Sequence, residues 1–232
     1  MLHLIPLLVV LFCIIVCETM SVVSVSKSRK QFINQKNLDI SCIKEPTLLS
    51  EIIKRLFDVI VALVVCITIL PVMYIILGII IKITSPGPII FAQKRVGIFG
   101  KVFTCYKFRS MYQDANYDMA VKNDKRVTLV GHFIRKTHID EFPQFYNVLI
   151  GDMSLVGPRP TMRFVTEKLD THPKYLYRLL ARPGITGMTQ LKGRQCSLIN
   201  KLEIDFEYMK RNSLWLDFKI IFQTLKFEDE SY

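Results

Sequence analysis

Asp140 and Glu141 are adjacent carboxylates beside a segment whose pattern predicts a short helix from about 141 to 150. Pro143 is tolerated only in the first turn of a helix and Gly151 fits just past its end, so both carboxylates lie at a helix N-terminus. Backbone N–H groups and the helix dipole at that end favour anions, including phosphate. Taken alone, an aspartate at this position more often serves as a helix cap.

Two arginines shift the balance from capping to chemistry. Arg135 precedes Asp140 by five residues, and Arg159 follows in a stiff Gly-Pro-Arg-Pro loop. Guanidinium groups match phosphate oxygens, and a carboxylate between them can act as a nucleophile at phosphorus while a divalent cation neutralises charge. Structural ion pairs are the competing interpretation of the same residues.

The loop RPGITG at 182–187 offers a second set of anion-binding groups. Its glycine-containing turn can present backbone N–H groups to a phosphate or a nucleotide. A Pro-Gly turn is usually only a turn, so the loop is not specific evidence for a ligand.

The composition predicts a membrane protein with a soluble part. Half of the 232 residues are hydrophobic, and the apolar excess lies in residues 1–17 and 59–81. The net charge of +11 attracts nucleic acid, anionic lipid or phosphorylated substrates, and the apolar runs favour lipid. The six cysteines form no CxxC pair, which argues against a disulfide framework and a cysteine metal site.

Residues 59–81 contain no charge and are long enough to span a bilayer. Pro71 near the middle bends a helix, because it removes a hydrogen bond. Basic residues flank both ends of the apolar run, and basic flanks prefer the cytoplasm. Those before it are Lys54 and Arg55, and those after it are Lys82, Lys94 and Arg95. A re-entrant helix, which enters and leaves on one face, satisfies both flanks. An ordinary kinked transmembrane helix remains the alternative.

The other segments give a coarse prediction in which helices dominate. The predicted elements are a membrane anchor or remnant at 1–17, a linker at 18–50, two strands around 89–91 and 102–104, a helix at 110–122, an ambiguous segment at 127–136, one or two helices within 161–181, a helix at 198–210 and an amphipathic helix at 214–227 that suits either a membrane surface or a core.

Several long motifs, in one order, resemble the bacterial sugar transferase family, the monotopic phosphoglycosyl transferases. The resemblance extends over roughly three quarters of the chain. The matching motifs are KRLFD at 54–58, SPGPIIFAQKRVG at 85–97, YKFRSM at 106–111, DEFPQFYNVLIGDMSLVGPRP at 140–160 and RPGITGMTQLKGR at 182–194. Two departures are Leu70 before Pro71 and His138-Ile139 before the carboxylate pair.

The resemblance implies a mostly helical α+β fold with a re-entrant membrane helix, a small β-hairpin and interfacial amphipathic helices. The implied organisation has an N-terminal apolar anchor or remnant with a linker at 1–50, the re-entrant helix at 51–83 and a catalytic domain at 84–232. The catalytic domain is expected on the cytoplasmic face of a bacterial inner membrane. Lys54, Arg55, Asp58 and Pro71 belong to the membrane helix in this scheme.

The resemblance also implies a two-step, magnesium-dependent reaction that begins the synthesis of a surface polysaccharide such as capsule or O-antigen. Asp140 attacks the β-phosphorus of a UDP-sugar and releases UMP, and polyprenyl phosphate then takes the phosphosugar. Glu141 either helps Asp140 hold Mg²⁺ or accepts a proton. The residues expected to bind phosphate or substrate are Arg135, Arg159, Lys107, Arg109, Gly184, Thr186 and Arg194.

Two other functions compete with this one. A membrane-anchored protein without enzymatic activity would use its basic face to bind anionic lipid or nucleic acid, but it has no need of the Arg135, Asp140, Glu141 and Arg159 group. A nucleotide-sugar hydrolase would use water as the acceptor, and the long apolar helix argues against it. The expected partners are therefore a UDP-sugar, polyprenyl phosphate and the bilayer, without nucleic acid. The sugar and the oligomeric state, a homo-oligomer included, stay open.

Overall fold

A computed structural model describes residues 4–112, 124–169, 172, 174–192 and 197–226. Its elements confirm a mostly helical α+β fold with a small antiparallel hairpin. In chain order they are α1 Leu4–Lys36, α2 Leu48–Val64, a π-helical segment Val65–Ile69, α3 Leu70–Thr84, β1 Ile90–Val96, β2 Val102–Phe108, α4 Leu129–Lys136, a 3₁₀ turn Ile139–Glu141, α5 Gln144–Leu149, β3 Ser154–Val156, α6 Arg163–Leu169, α7 Tyr175–Arg178, β4 Gly184–Thr186, α8 Met188–Lys192, α9 Leu198–Arg211 and α10 Leu214–Lys226.

Helix α1 differs from the predicted linker, because one helix continues through residues 18–36. Its few apolar contacts are well buried, with Val22 2% and Ile33 8% exposed. Its polar residues bind elsewhere in the chain: Glu18 pairs with Arg55 of α2 at 2.7 Å. The segment lacks a clear hydrophobic period because long-range ion pairs, and not only an apolar stripe, hold it in place.

The π-helical segment joins helices α2 and α3 into one continuous helix, Leu48–Thr84. Among the described residues, this is the one helix that is long and apolar enough to cross a membrane. In the π-helical segment the N–H of Leu70 donates to the carbonyl of Val65, five residues back. Pro71, which has no N–H, follows at once. The irregular turn therefore lies where the sequence predicts that proline interrupts the helix.

The hairpin has the predicted order, and its strands are longer than predicted. Its antiparallel register places Phe91 opposite Lys107, Gln93 opposite Cys105 and Arg95 opposite Phe103. Side chains of opposite residues share a face and alternate along the strand, so Gln93, Arg95 and Lys107 lie on one face of the hairpin.

A second, parallel pair joins β3 to β4, where the sequence predicts a loop at 183–187. The backbones of Gly157 and Gly184 approach so closely that a Cβ on Gly184 would stand 2.1 Å from the nitrogen of Gly157. Glycine is required there for packing and not for a positive φ. The main core surrounds this pair and includes Val148, Met153 and Leu180.

The remaining helix predictions are mostly confirmed. Residues 127–136 are resolved in favour of helix α4, and the segment 161–181 contains two helices, α6 and α7. Helices α9 and α10 match the predictions at 198–210 and 214–227. The predicted helix at 110–122 lies mostly outside the described residues, and its described start is extended, since Met111 forms a bridge to Val127.

Candidate active site

The carboxylate pair lies in a tight turn between two helices. Helix α4 ends at Lys136, and His138 then adopts a left-handed conformation with φ 55°. A left-handed residue just past a helix end is a common way to reverse the chain, and histidine accepts it more readily than most residues. The 3₁₀ turn that follows carries Asp140, which is only 7% exposed, and Glu141.

Lys107 and Arg159 bring two positive charges to the carboxylates. The Nζ of Lys107 lies 2.5 Å from Oε1 of Glu141 and 3.8 Å from Oδ2 of Asp140. Nη2 of Arg159 lies 3.1 Å from the same oxygen of Glu141. The turn, strand β2 and the loop after β3 therefore meet at one cluster of two carboxylates and two cations.

The helix-terminus hypothesis for anion binding is wrong in its details. Helix α5 begins only at Gln144, and Pro143 precedes it instead of lying in its first turn. The N–H of Glu141 donates to His138 and that of Phe142 to Ile139, so these amides are already used in the 3₁₀ turn. No capping hydrogen bond from a side chain starts either the turn or α5. The positive charge beside the carboxylates therefore comes from the side chains of Lys107 and Arg159 and not from helix amides.

Burial and charge separate the two carboxylates. Burial raises the pKa of Asp140 to about 6; the positive charge of Lys107 opposes this shift and the negative charge of Glu141 adds to it. Burial also acts to raise the pKa of Glu141, but Lys107 and Arg159 outweigh it, so its pKa lies well below the ordinary range. Two neighbouring carboxyl groups with separated pKa values are typical of a site where they play different roles.

Arg135 and Arg109 have different places around this cluster. Arg135, in the last turn of α4, donates from Nε to the hydroxyl of Ser110 at 2.8 Å, and its charge partly opposes the rise that burial causes in the pKa of Asp140. Arg109 is 5% exposed, and its guanidinium donates to the carbonyls of Ser85 and Pro86. Arg109 thus holds the turn that follows α3. The expectation that it binds substrate phosphate stays a prediction.

Two polar groups of the RPGITG segment, for which the sequence offers a phosphate cradle, already have partners within the protein. The N–H of Gly184 donates to the carbonyl of Pro158 at 3.0 Å, and the hydroxyl of Thr186 lies 2.6 Å from that of Thr224. These groups serve the parallel strand pair and its contact with α10. Arg194 lies outside the described residues.

Arg178 is a residue that the sequence argument missed. It is 7% exposed, donates to the carbonyl of Arg159 and forms a 3.0 Å ion pair with Asp205 of α9. It thus fixes the backbone that carries Arg159. Nothing local reveals this role, because α7 and α9 are far from the Arg159 loop in sequence.

Apolar residues that flank the carboxylates pack against the long apolar helix. Ile139 and Phe142 belong to a cluster with Leu77 and Ile81 of α3 and Ile134 of α4. Ile81 is 2% and Ile134 0% exposed. The site therefore lies directly beside the C-terminal half of the apolar helix.

The polar start of the apolar helix is bound to the same domain. Arg55 is 3% exposed and donates to the carbonyls of Val148 and Leu149, which end helix α5. Lys54 donates to the carbonyl of Val156, and Asp58 accepts the N–H of Leu155 at 3.1 Å. The residues predicted to mark a polar boundary are thus the joint between helix and domain.

The fit of a magnesium ion can be judged from the donors. Within the described residues, no group of three or more His, Cys, Asp or Glu side chains is arranged to hold a metal. Asp140 and Glu141 supply two carboxylates, and Mg²⁺ is commonly bound by one or two carboxylates together with substrate phosphates. The pair fits an ion whose shell the substrate completes, and not one that the protein holds alone.

Comparison with known proteins gives a family match. The family model described as "Bacterial sugar transferase" matches residues 49–228. These residues include α2, α3, the hairpin, the carboxylate turn and α10. Helix α1 lies wholly outside the match.

Curated relatives carry names that specify three different sugars. The chain is 43% identical over 189 residues to a UDP-N-acetylgalactosamine-undecaprenyl-phosphate N-acetylgalactosaminephosphotransferase of Aeromonas hydrophila, covering 78% of this chain and 44% of the relative. It is 43% identical over 184 residues to a UDP-glucose:undecaprenyl-phosphate glucose-1-phosphate transferase of Klebsiella pneumoniae, covering 75% and 39%. It is 39% identical over 198 residues to an undecaprenyl-phosphate galactose phosphotransferase of Salmonella typhimurium, covering 76% and 40%. The chain spans less than half the length of these relatives.

Proposed function

The chain belongs to the bacterial sugar transferase family, and on this premise we propose that it transfers a sugar 1-phosphate from a UDP-sugar to a polyprenyl phosphate with release of UMP. The observation that carries the proposal is the buried carboxylate of Asp140 beside Lys107, Arg135 and the apolar helix. Such a reaction requires a nucleophile, positive charges that bind phosphate, and an apolar surface along which a lipid acceptor can approach.

In the first step, an ionised Oδ of Asp140 attacks the β-phosphorus of the donor. A bond forms between that oxygen and phosphorus, and the bond between the β-phosphorus and the bridging oxygen breaks. The electron pair of the broken bond leaves with UMP. Lys107 and Arg159 lie where they can stabilise the negative charge on the phosphoryl oxygens.

In the second step, a phosphate oxygen of the polyprenyl phosphate attacks the same phosphorus. The bond to Asp140 breaks, and its carboxylate is regenerated with the electron pair. The product is a polyprenyl diphosphate sugar. No proton transfer to Glu141 is needed, and its lowered pKa makes it a poor base near neutral pH. This favours a positioning role for Glu141, in which it orients Lys107 and Arg159.

Magnesium is part of the proposal. Asp140 and Glu141 would hold it together with phosphate oxygens of the substrate. When bound, the ion would neutralise charge on the donor diphosphate. Lys107 and Arg159 both contact Oε1 of Glu141, so the charge of this carboxylate is balanced before substrate binds.

We also propose that the apolar helix is re-entrant. A straight α-helix would place residues 55 and 81 roughly 39 Å apart. Arg55 binds the end of α5, and Ile81 packs near Phe108 at the end of β2. Helix α5 and β2 are themselves joined, since Asn147 donates to the carbonyl of Thr104 at 2.7 Å. Both ends of the helix thus contact one compact unit, which supports a bend at the irregular turn before Pro71.

Helix α1 extends this membrane region in the proposal. Glu18 of α1 binds Arg55, and Arg29 binds Glu51, so the two helices run antiparallel. Residues of α1 before Glu18 therefore follow the apolar part of α2. Several of them expose large apolar side chains, namely Val9, Val10, Phe12, Ile14, Ile15 and Val16. On α10, Trp215 and Phe222 are exposed as well, which favours the membrane-surface interpretation of that helix.

Topology can be tested with single cysteines in a background without the native ones. Leu49→Cys and Thr84→Cys, at the two ends of the helix, are expected to react with a membrane-impermeant maleimide from the same side of sealed vesicles. Ile67→Cys is the matched control: it is 67% exposed in the protein and should react only after detergent is added. Labelling of the two end positions from opposite sides would show a transmembrane helix instead.

The function itself is tested by a substrate screen. Membranes that contain the protein are supplied with Mg²⁺, polyprenyl phosphate and, in turn, UDP-N-acetylgalactosamine, UDP-glucose and UDP-galactose. We expect UMP release with at least one donor and transfer of the sugar label into organic solvent. Label that stays in water while UMP appears would indicate a hydrolase, and polyanion binding without turnover would indicate the non-enzymatic binder.

In the pH profile of kcat/KM, the fall on the acid side, the acid limb, is expected near pH 6. Asp140 must be ionised to attack, and its pKa is raised to about 6, so kcat/KM for the donor should fall as pH drops through that value. In Lys107→Met the loss of a positive charge raises the pKa of Asp140 further, which moves the limb to higher pH. Lys94→Met, an exposed lysine on the opposite hairpin face, should leave it in place. A limb near pH 4 in the unmodified protein would contradict the assignment.

A further inference from the structure

We propose that Arg95 binds the α-phosphate of the nucleotide donor, the group that becomes the phosphate of the leaving UMP. The inference rests on the proposed function and adds the orientation of the donor in its site. Three observations support it. The guanidinium of Arg95 is largely buried from water, it has no carboxylate partner among the described residues, and it lies at the end of the site away from the apolar helix.

Arg95 carries a charge that the protein itself does not balance by contact. Its guanidinium donates from Nη2 to the side-chain carbonyl of Gln93 at 2.6 Å and approaches the carbonyl of Pro160 at 3.4 Å. Among the described residues, no carboxylate oxygen lies within 4.0 Å of it. A charge withdrawn from water without a counter-ion is costly, and such a charge next to a reaction centre is suited to a charged ligand.

The neighbours of Arg95 place it at the edge of the carboxylate cluster. Its contact with the carbonyl of Pro160 places it next to Arg159, which binds Glu141. Burial lowers the pKa of Arg95 to about 10. It remains a cation at neutral pH. Gln93 holds the guanidinium plane, so the remaining N–H groups have a fixed direction.

One end of the hairpin, called the lipid end, lies against the apolar helix, and the other end, called the water end, lies away from it. Phe108 and Ile90 form the row next to the apolar helix, and they pack with Leu77 and Ile81. Lys107 lies one row further along the hairpin. Arg95 lies four rows beyond Lys107, about 14 Å away along the strands.

The water end is held by different elements. Val96, next to Arg95, packs with Val165 and Leu169 of α6 and with Tyr175 of α7. The described members of this cluster include no residue of the apolar helix. A polyprenyl phosphate reaches Asp140 from the apolar side. The cation at the far end therefore faces the soluble part of the donor, which is the nucleotide.

The test compares Arg95→Gln with Lys94→Gln. Both variants remove one positive charge from the same strand, but Lys94 points to the opposite face, where it binds Thr104. UMP and uridine are titrated calorimetrically onto the detergent-solubilised full chain. Arg95→Gln is expected to weaken UMP binding about 10- to 100-fold, as for the loss of a charge-assisted hydrogen bond, and to leave uridine binding unchanged. Lys94→Gln should change neither by more than about 2-fold.

Kinetics supply the second readout. In Arg95→Gln the KM for the UDP-sugar should rise while the KM for polyprenyl phosphate stays constant, and Arg95→Lys, which keeps the charge, should recover part of the UMP affinity. Unchanged UMP affinity, an equal loss for uridine, or an effect on polyprenyl phosphate alone would overturn the role of Arg95. Failure of the proposed function looks different, because the unmodified protein would then release no UMP from any donor.

Discussion

Replacement of Asp140 by asparagine is expected to lower turnover at least about 10³-fold, since removal of a covalent nucleophile usually costs that much or more. Asparagine keeps the shape of the side chain but cannot form the acyl phosphate. The measurement is UMP release under saturating UDP-sugar and polyprenyl phosphate. With donor labelled at the β-phosphate, the acid-quenched unmodified protein should retain label at position 140, and Asp140→Asn should retain none.

Loss of activity in this variant should not come from unfolding. The pKa of Asp140 is raised to about 6 in the folded protein, so folding favours the protonated form of this carboxyl more than the unfolded chain does. The stability that this preference provides is fully present below the ordinary pKa of 3.8 and is lost as pH rises through 6. At neutral pH the neutral asparagine removes that penalty, so the variant should melt no lower than the unmodified protein. Full turnover in Asp140→Asn would exclude the covalent mechanism.

Arg55→Met is expected to reduce the free energy of unfolding by about 3–5 kcal/mol, the cost of breaking a buried charge network. The guanidinium of Arg55 binds both carboxylate oxygens of Glu18 and the carbonyls of Val148 and Leu149. Methionine fills similar space but removes the hydrogen bonds to Glu18 and to the carbonyl of Leu149, while the carbonyl of Val148 keeps the N–H of Gly151. In a chain of this size the melting temperature should fall by roughly 6–20 °C.

The matched control is Arg211→Met. Arg211 also forms an ion pair, with Glu207 at 2.7 Å, but its side chain is 67% exposed. Exposed pairs contribute little, so this variant should lose less than about 1 kcal/mol. Equal melting temperatures for the two variants would mean that Arg55 is not part of the structural joint. The comparison requires thermal melts in the same detergent at the same protein concentration.

Local signals in the sequence predict much of the fold. The uncharged run at 59–81, the glycines of the hairpin turn and the apolar spacing of α9 and α10 each depend on nearby residues. The carboxylate pair of Asp140 and Glu141 can also be recognised from the sequence, because the two residues are adjacent in one motif. The match to known relatives extends this from pattern to family.

Long-range contacts decide what the sequence could not predict. Helix α1 is held by Glu18 and Arg29 binding to α2, and a polar segment gives no sign of such partners. Strand β4 forms only because Gly184 can approach Gly157. Arg109 carries the residue type of a phosphate ligand, but it is committed to the carbonyls of Ser85 and Pro86.

The hydrogen bonds from Arg55 to the last carbonyls of α5 have a consequence for the range of acceptors. They tie the segment that follows Asp140 to a fixed level of the apolar helix, so the carboxylate of Asp140 cannot rise or sink without breaking the joint. If the acceptor is a polyprenyl phosphate, as proposed above, an isoprenoid tail of any length would present its phosphate at the same height, with the extra units lying among the acyl chains. We therefore expect tolerance of tail length together with strict selection at the headgroup.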